Sequence, residues 1–92
     1  MNELFKALSD ENRRKILDLL RDGDLTVGEI ADHFEMSKPG ISQHLSVLKN
    51  ANLVFAEKKG QYVYYSLNSS VFQDVMKWIF QFNQSKGDDQ KT

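Results

Sequence analysis

Residues 37–54 read Ser-Lys-Pro-Gly-Ile-Ser-Gln-His-Leu-Ser-Val-Leu-Lys-Asn-Ala-Asn-Leu-Val, and no other stretch constrains the chain as much. Ile41, Leu45 and Leu48 recur at i, i+4 and i+7, one apolar stripe on a helix of 3.6-residue period. The opposite face carries Gly40, Gln43, Ser46 and Asn50, and no acidic residue lies between Met36 and Phe55. Such a helix packs by its back against other elements. Its front is small, amide-bearing and free of negative charge. A front of that kind suits the major groove of DNA, where Gln and Asn pair with base edges and no carboxylate repels phosphate.

The helix before it completes the pattern. Thr26 stands three residues ahead of Glu29, the spacing of a capping box, and Val27, Ile30, Ala31 and Phe34 form an apolar stripe. The link Glu35-Met36 is too short to let the two helices separate. Ser37 caps the second helix, and Pro39 falls in its first turn, where a missing N–H costs little. Two short helices joined by a tight turn, the second with a polar face, make a helix-turn-helix.

Upstream, Leu4, Phe5 and Leu8 mark a short first helix. Asp10 caps a second with Ile16, Leu17, Leu19 and Leu20 on its apolar face, ended by Gly23. Arg13 and Arg14 sit near Asp10, Glu11 and Asp18, and read as partners in structural ion pairs. Downstream the period changes. Leu53 to Glu57 and Tyr62 to Leu67 read as strands of a hairpin turning through Lys58-Lys59-Gly60-Gln61. Ser69 or Ser70 then caps a last helix. Residues 1–84 form one domain on this reading, and 85–92 a frayed polar tail. The fold class is mainly α with a small β-hairpin, in the order α-α-α-α-β-β-α.

Charge is placed unevenly. The whole chain carries −1, but residues 1–35 sum to −4 and residues 36–73 to +3. The positive zone coincides with the polar-faced helix and the hairpin, which suits a face offered to a polyanion. No Cys is present, which removes disulfides and thiolate chemistry. There is no Gly-rich phosphate loop and no His-Glu-x-x-His, so an enzyme is not expected, nor a cofactor. No apolar run approaches a membrane span of about 18 residues, and the first residues lack the layout of a signal peptide, so a cytoplasmic protein is expected.

Within this frame Gln43 is the candidate for base readout, with Ser42 beside it; His44 lies beside the apolar stripe, and reads either as a contact to a phosphate or base edge or as a partly buried helix residue. Ser37 and Lys38 are candidates for a phosphate at the helix N-terminus, with Thr26 in the same position on the preceding helix. Gly40 permits close backbone approach, or is merely tolerated. Lys58, Lys59 and Gln61 would contact the flanking backbone or minor groove. His33 has no ligand-spaced neighbour and reads as a surface or partly buried residue rather than a metal ligand. The last helix is apolar over a wide arc: Phe72, Val75, Met76, Ile79 and Phe80, widened by Trp78 and Phe82. Together with Leu4, Phe5 and Leu8 these read as a dimer interface.

The segments Phe5–Asp10 with Arg13–Leu17, Thr26–Ala31, Ser37–Val54 and Gly60–Leu67 resemble, in order and spacing, the ArsR/SmtB family of winged-helix transcriptional repressors, and most closely its small, metal-independent SdpR-like branch. The resemblance implies a homodimer that binds an inverted-repeat operator in double-stranded DNA, often that of its own operon, and releases it when an inducer binds. The thiolate site of the metal-sensing members would need Cys near residues 28–35. Their site on the last helix would need His, where this chain offers only Asp74. The resemblance therefore implies no metal and leaves the inducer unidentified. A module that docks a partner protein through the apolar last helix is the competing expectation.

Overall fold

A computed structural model describes the backbone of residues 2–91 and the side chains of residues 3–82. The chain runs α1 (Asn2–Leu8), α2 (Glu11–Leu20), β1 (Leu25–Thr26), α3 (Val27–Ala31), α4 (Lys38–Asn50), β2 (Val54–Lys59), β3 (Tyr62–Leu67) and α5 (Ser69–Lys91). This is the expected helical domain with a wing, plus one element the sequence reading lacks. β1 pairs antiparallel with β3 through Leu25↔Tyr65 and Thr26↔Tyr64, making a three-stranded sheet in the order β1-β3-β2. The tail expected over 85–92 concerns side chains outside the described ones; the backbone of α5 continues to Lys91.

Local signals set most boundaries. The Asp10 carboxylate accepts the N–H groups of Asn12 at 2.8 Å and Arg13 at 3.2 Å, and so starts α2. The Thr26/Glu29 capping box closes in both directions, at 2.9 and 3.2 Å. α3 is shorter than its apolar stripe suggests. It ends at Ala31, and Phe34 lies in the following turn, where it still packs on the core. α4 stops at a left-handed Asn52 (φ 61°). The Asn52 N–H donates to the Lys49 carbonyl and the Leu53 N–H to that of Leu48, the Schellman pattern, while the Leu48 and Leu53 side chains are both fully buried.

The hairpin turns on two residues, not four. Lys59 pairs with Tyr62, and Lys58 with Val63, so both lysines lie within β2. Gly60 has φ 64° at the first loop position, the type II′ arrangement that matches strand twist. α5 is capped by Asn68 rather than Ser69 or Ser70. Its carboxamide oxygen accepts the Val71 N–H at 3.5 Å, its carbonyl accepts that of Phe72, and its amide nitrogen donates to the Asn52 carbonyl at 2.8 Å. Asn68 thus ties the end of the wing to the end of α4.

The core is built from Ile16, Ile30, Ile41, Leu45, Leu48 and Leu53, none of them solvent-exposed. Each contributes roughly 1.5–3 kcal/mol through burial. Four of the six lie on or just after α4, so the helix with the polar front is anchored along its whole back.

Candidate nucleic-acid interface

α4 separates its two faces cleanly. Ile41, Leu45 and Leu48 are fully buried, while Ser42, Gln43, Ser46, Lys49 and Asn50 are exposed. Gln43 makes no hydrogen bond within the described residues, so both its donor and its acceptor are available to a base edge. Ser37 caps α4 by accepting the Gly40 N–H at 3.4 Å. Its own hydroxyl proton stays free to donate. Lys38 lies beside α3: a Cβ added to Gly28 would sit 3.7 Å from Lys38 Nζ and 3.9 Å from Thr26 Oγ1. The Lys38 side chain therefore reaches from the N-terminus of α4 to that of α3, into the neighbourhood of Thr26.

Thr26 is less open than the sequence reading supposes. It is half-buried, its hydroxyl accepts the Glu29 N–H, and the Glu29 carboxylate occupies its N–H. A negative charge already sits where a phosphate would dock. Thr26, Glu29, Tyr62 and Tyr64 line a shallow depression between the start of α3 and β3 of the wing.

Gly40 has a packing reason to lack a side chain. An added Cβ would stand 2.9 Å from Met36 Cγ and 3.2 Å from Met36 Sδ. The residue leaves room for Met36, which closes the turn between α3 and α4 and packs on the core. Neither close approach to a ligand nor tolerated imperfection is needed to explain it.

The lysines of the wing are not equivalent. Adjacent strand residues point to opposite faces. Lys58 shares the face of Val54 and Ala56, and lies beyond the core. Lys59 shares the outer face with Phe55, Tyr62 and Tyr64, and its ammonium stands 5.7 Å from the Tyr64 ring centroid. Gln61 is exposed at the tip.

His44 is half-buried at the edge of the polar face, and its Nδ1 lies 3.3 Å from Arg13 Nη1. The expectation of ion pairs for Arg13 and Arg14 is not met. Arg13 Nε donates to the Ala7 carbonyl at 3.0 Å and Nη2 to that of Lys6 at 2.7 Å, while Arg14 Nη1 donates to that of Leu8 at 2.8 Å. Both arginines serve the carbonyls of the last three residues of α1, of which that of Lys6 also accepts from Ser9. The ion pair present among the described residues is Arg21–Asp18, on the surface. At Asp10, burial pushes the carboxyl up, but the N–H bonds from Arg13 and Asn12, with the Arg13 charge and the smaller pull of His44, bring it on balance below its ordinary value.

His33 is exposed and accepts a Lys15 hydrogen bond through its carbonyl. No three His, Cys, Asp or Glu side chains converge as a cation site among the described residues.

The second candidate surface is the face shared by α1 and α5. Leu4, Phe5 and Leu8 face Val71, Val75, Trp78 and Ile79 across a groove of about 480 Å³. The Phe5 and Trp78 rings meet at 6.0 Å, and Trp78 and Phe82 at 6.2 Å. Two members of the expected interface turn inward: Val75 is 8% exposed, and Phe72 packs against the core of its own chain. The exposed apolar surface belongs to Phe5, Met76, Trp78, Ile79, Phe80 and Phe82, with Phe80 and Phe82 the most open at 62% and 66%.

Comparison with known proteins places this arrangement. A family model described as "Bacterial regulatory protein, arsR family" matches residues 10–55. Transcriptional repressor SdpR of Bacillus subtilis (strain 168) is 56% identical over 88 residues, spanning 96% of this chain and 97% of that protein. The arsenical resistance operon repressor of Staphylococcus aureus is 34% identical over 85 residues, spanning 92% of this chain and 82% of the other. Among solved structures, an ArsR-like transcriptional regulator from Rhodococcus sp. RHA1 superposes with a TM-score of 0.81 at 26% identity, covering 94% of this chain and 79% of that one.

Proposed function

The chain belongs to the ArsR family of bacterial regulatory proteins, a family of transcriptional regulators and not of enzymes, and from that premise we propose that it is a repressor acting as a homodimer on an inverted-repeat operator. It is a DNA-binding transcriptional repressor of that family. The finer reading gives α4 the major groove, the wing at 57–62 the flanking backbone, and the α1/α5 face the dimer. One observation carries it. α4 buries Ile41, Leu45 and Leu48 completely while it exposes Gln43, Ser46 and Asn50, with no carboxylate between Met36 and Phe55.

Ser37 and Lys38 supply phosphate contacts at the α4 N-terminus, where the free N–H groups and the helix dipole favour an anion. Gln43 pairs with a base edge, adenine N6/N7 by its donor–acceptor pattern. Ser42 lies beside it, and Lys58, Lys59 and Gln61 add affinity that does not depend on sequence. Thr26 supports the interface as a cap, with its phosphate role weakened by Glu29. Gly40 serves through the packing of Met36. Two-fold symmetry sets the two α4 helices in successive major grooves. Autoregulation is part of the reading.

Fluorescence-anisotropy titration with the DNA just upstream of the chain's own gene, against a scrambled duplex and over a range of salt, tests it. Tight, sequence-dependent, salt-sensitive binding by two protomers supports it. Equal and weak binding to both duplexes contradicts autoregulation and turns attention to the α1/α5 face as a docking surface for another protein.

A further inference from the structure

Three segments distant in sequence meet at the guanidinium of Arg13. Two of its nitrogens hold carbonyls in the last turn of α1, those of Lys6 and Ala7, and the third reaches His44 Nδ1 on α4 at 3.3 Å. Arg has five N–H donors and no acceptor. The contact with His44 therefore needs a lone pair on Nδ1, and a neutral ring with that lone pair carries its proton on Nε2. A ring free to choose would exchange the two tautomers and rotate. This one is held by a fork that is itself fixed at two other points.

We infer that Arg13 is a positioning residue for the DNA interface: it holds His44 with Nδ1 as acceptor, so that the imidazole meets DNA as an Nε2–H donor. The inference rests on the DNA-binding reading and deepens it. A donor at this position takes a phosphate oxygen or a base acceptor (N7 or O6 of guanine, N7 of adenine, O4 of thymine), and does not match the exocyclic amine of adenine or cytosine. His44 then complements Gln43 one residue earlier, which both donates and accepts. The same fork makes the α4 edge depend on α1, because whatever shifts the carbonyls of Lys6 and Ala7 shifts the group that orients His44.

Two measurements test this together. Long-range proton–nitrogen NMR of the free protein, with His33→Gln to assign the rings, should show His44 in the Nε2–H tautomer near pH 8. In Arg13→Gln the ring should become a mixture. A wild-type ring with its proton on Nδ1, or a tautomer unchanged by Arg13→Gln, overturns the inference. DNA binding is read on a duplex selected by the wild-type protein from random sequence. Arg13→Gln should bind it roughly 3- to 10-fold more weakly, the net worth of about one hydrogen bond. Arg13 also braces α1, so a general loss of structure is separated by a double-mutant cycle. In a His44→Ala background, Arg13→Gln should cost nothing further. A full additional loss there overturns the positioning role. Failure of the wild-type protein to select any sequence removes the DNA-binding reading itself, and with it the donor role of His44, while the tautomer still decides the Arg13 contact.

Discussion

Gln43 and Asp10 stand at opposite ends of what a single side chain does here. Gln43 is exposed on α4 and makes no hydrogen bond among the described residues, so its amide has nothing to do for the fold. Gln43→Ala should leave stability within about 0.5 kcal/mol and cost about 1–3 kcal/mol in operator binding, with discrimination relaxed at one base pair. Titration against duplexes varied one position at a time checks this; an equal loss on every sequence would contradict base readout. Asp10 is structural. Its carboxylate caps α2, so Asp10→Ala should lower stability by about 1 kcal/mol in urea unfolding. The sign of its pH dependence follows from the direction of its shift. The folded carboxyl ionises more readily than the unfolded one, whose ordinary value is near 3.8. Its stabilisation is complete above that value and is lost as pH falls through the lower folded one. Asp10→Asn, which keeps a capping oxygen, should lack that acid-side loss, and an identical acid profile in the two proteins would contradict it. Residues of this kind are legible in sequence because a cap and its targets lie within three positions. Arg13 and Gly40 are not. The partners of Arg13 are seven, six and thirty-one residues away, and only the closed turn over Met36 gives Gly40 a packing reason to lack a side chain.

At the scale of elements, the helices that bury one stripe announce themselves by period. α2 and α4 appear where Ile and Leu recur at helical spacing. β1 has no period to show. Two residues, Leu25 and Thr26, become a strand only because β3 lies alongside. The same pairing anchors the wing to the start of α3, so the hairpin is held along the middle of β3 by a third strand rather than standing alone. The end of β2 is set by the two-residue Gly60-Gln61 loop, and that register places Lys58 and Lys59 on opposite faces. A consequence is measurable. Removing a phosphate contact lowers the slope of log K against log salt by about 0.9. Lys58→Ala and Lys59→Ala should therefore act unequally, one lowering the slope by about that amount and the other by less. No change from either would contradict a role for the wing on DNA. The exposed apolar surface of α5 is partly legible in the sequence: a wide apolar arc says that some of it lacks cover, but not which residues. Phe72 and Val75 fill the monomer core, and Trp78 and Phe82 take the open positions.

For the whole molecule, the proposed reading gives the α1/α5 face and the α4 front separate tasks, so each should be open to impairment alone. Ile79 borders the groove between α1 and α5 and is 36% exposed. Ile79→Lys should shift sedimentation from dimer to monomer at micromolar concentration while far-ultraviolet circular dichroism stays helical; an unchanged dimer would place the interface elsewhere. The monomer should also lose most of its operator affinity, because two half-sites no longer act together. The central claim is that two copies of α4 read DNA at once. Hydroxyl-radical and methylation footprinting on the selected duplex tests it most directly. The account predicts two protected major-groove patches related by two-fold symmetry and centred about one helical turn, roughly 10 base pairs, apart. A single patch, or protection with no symmetry, would contradict it.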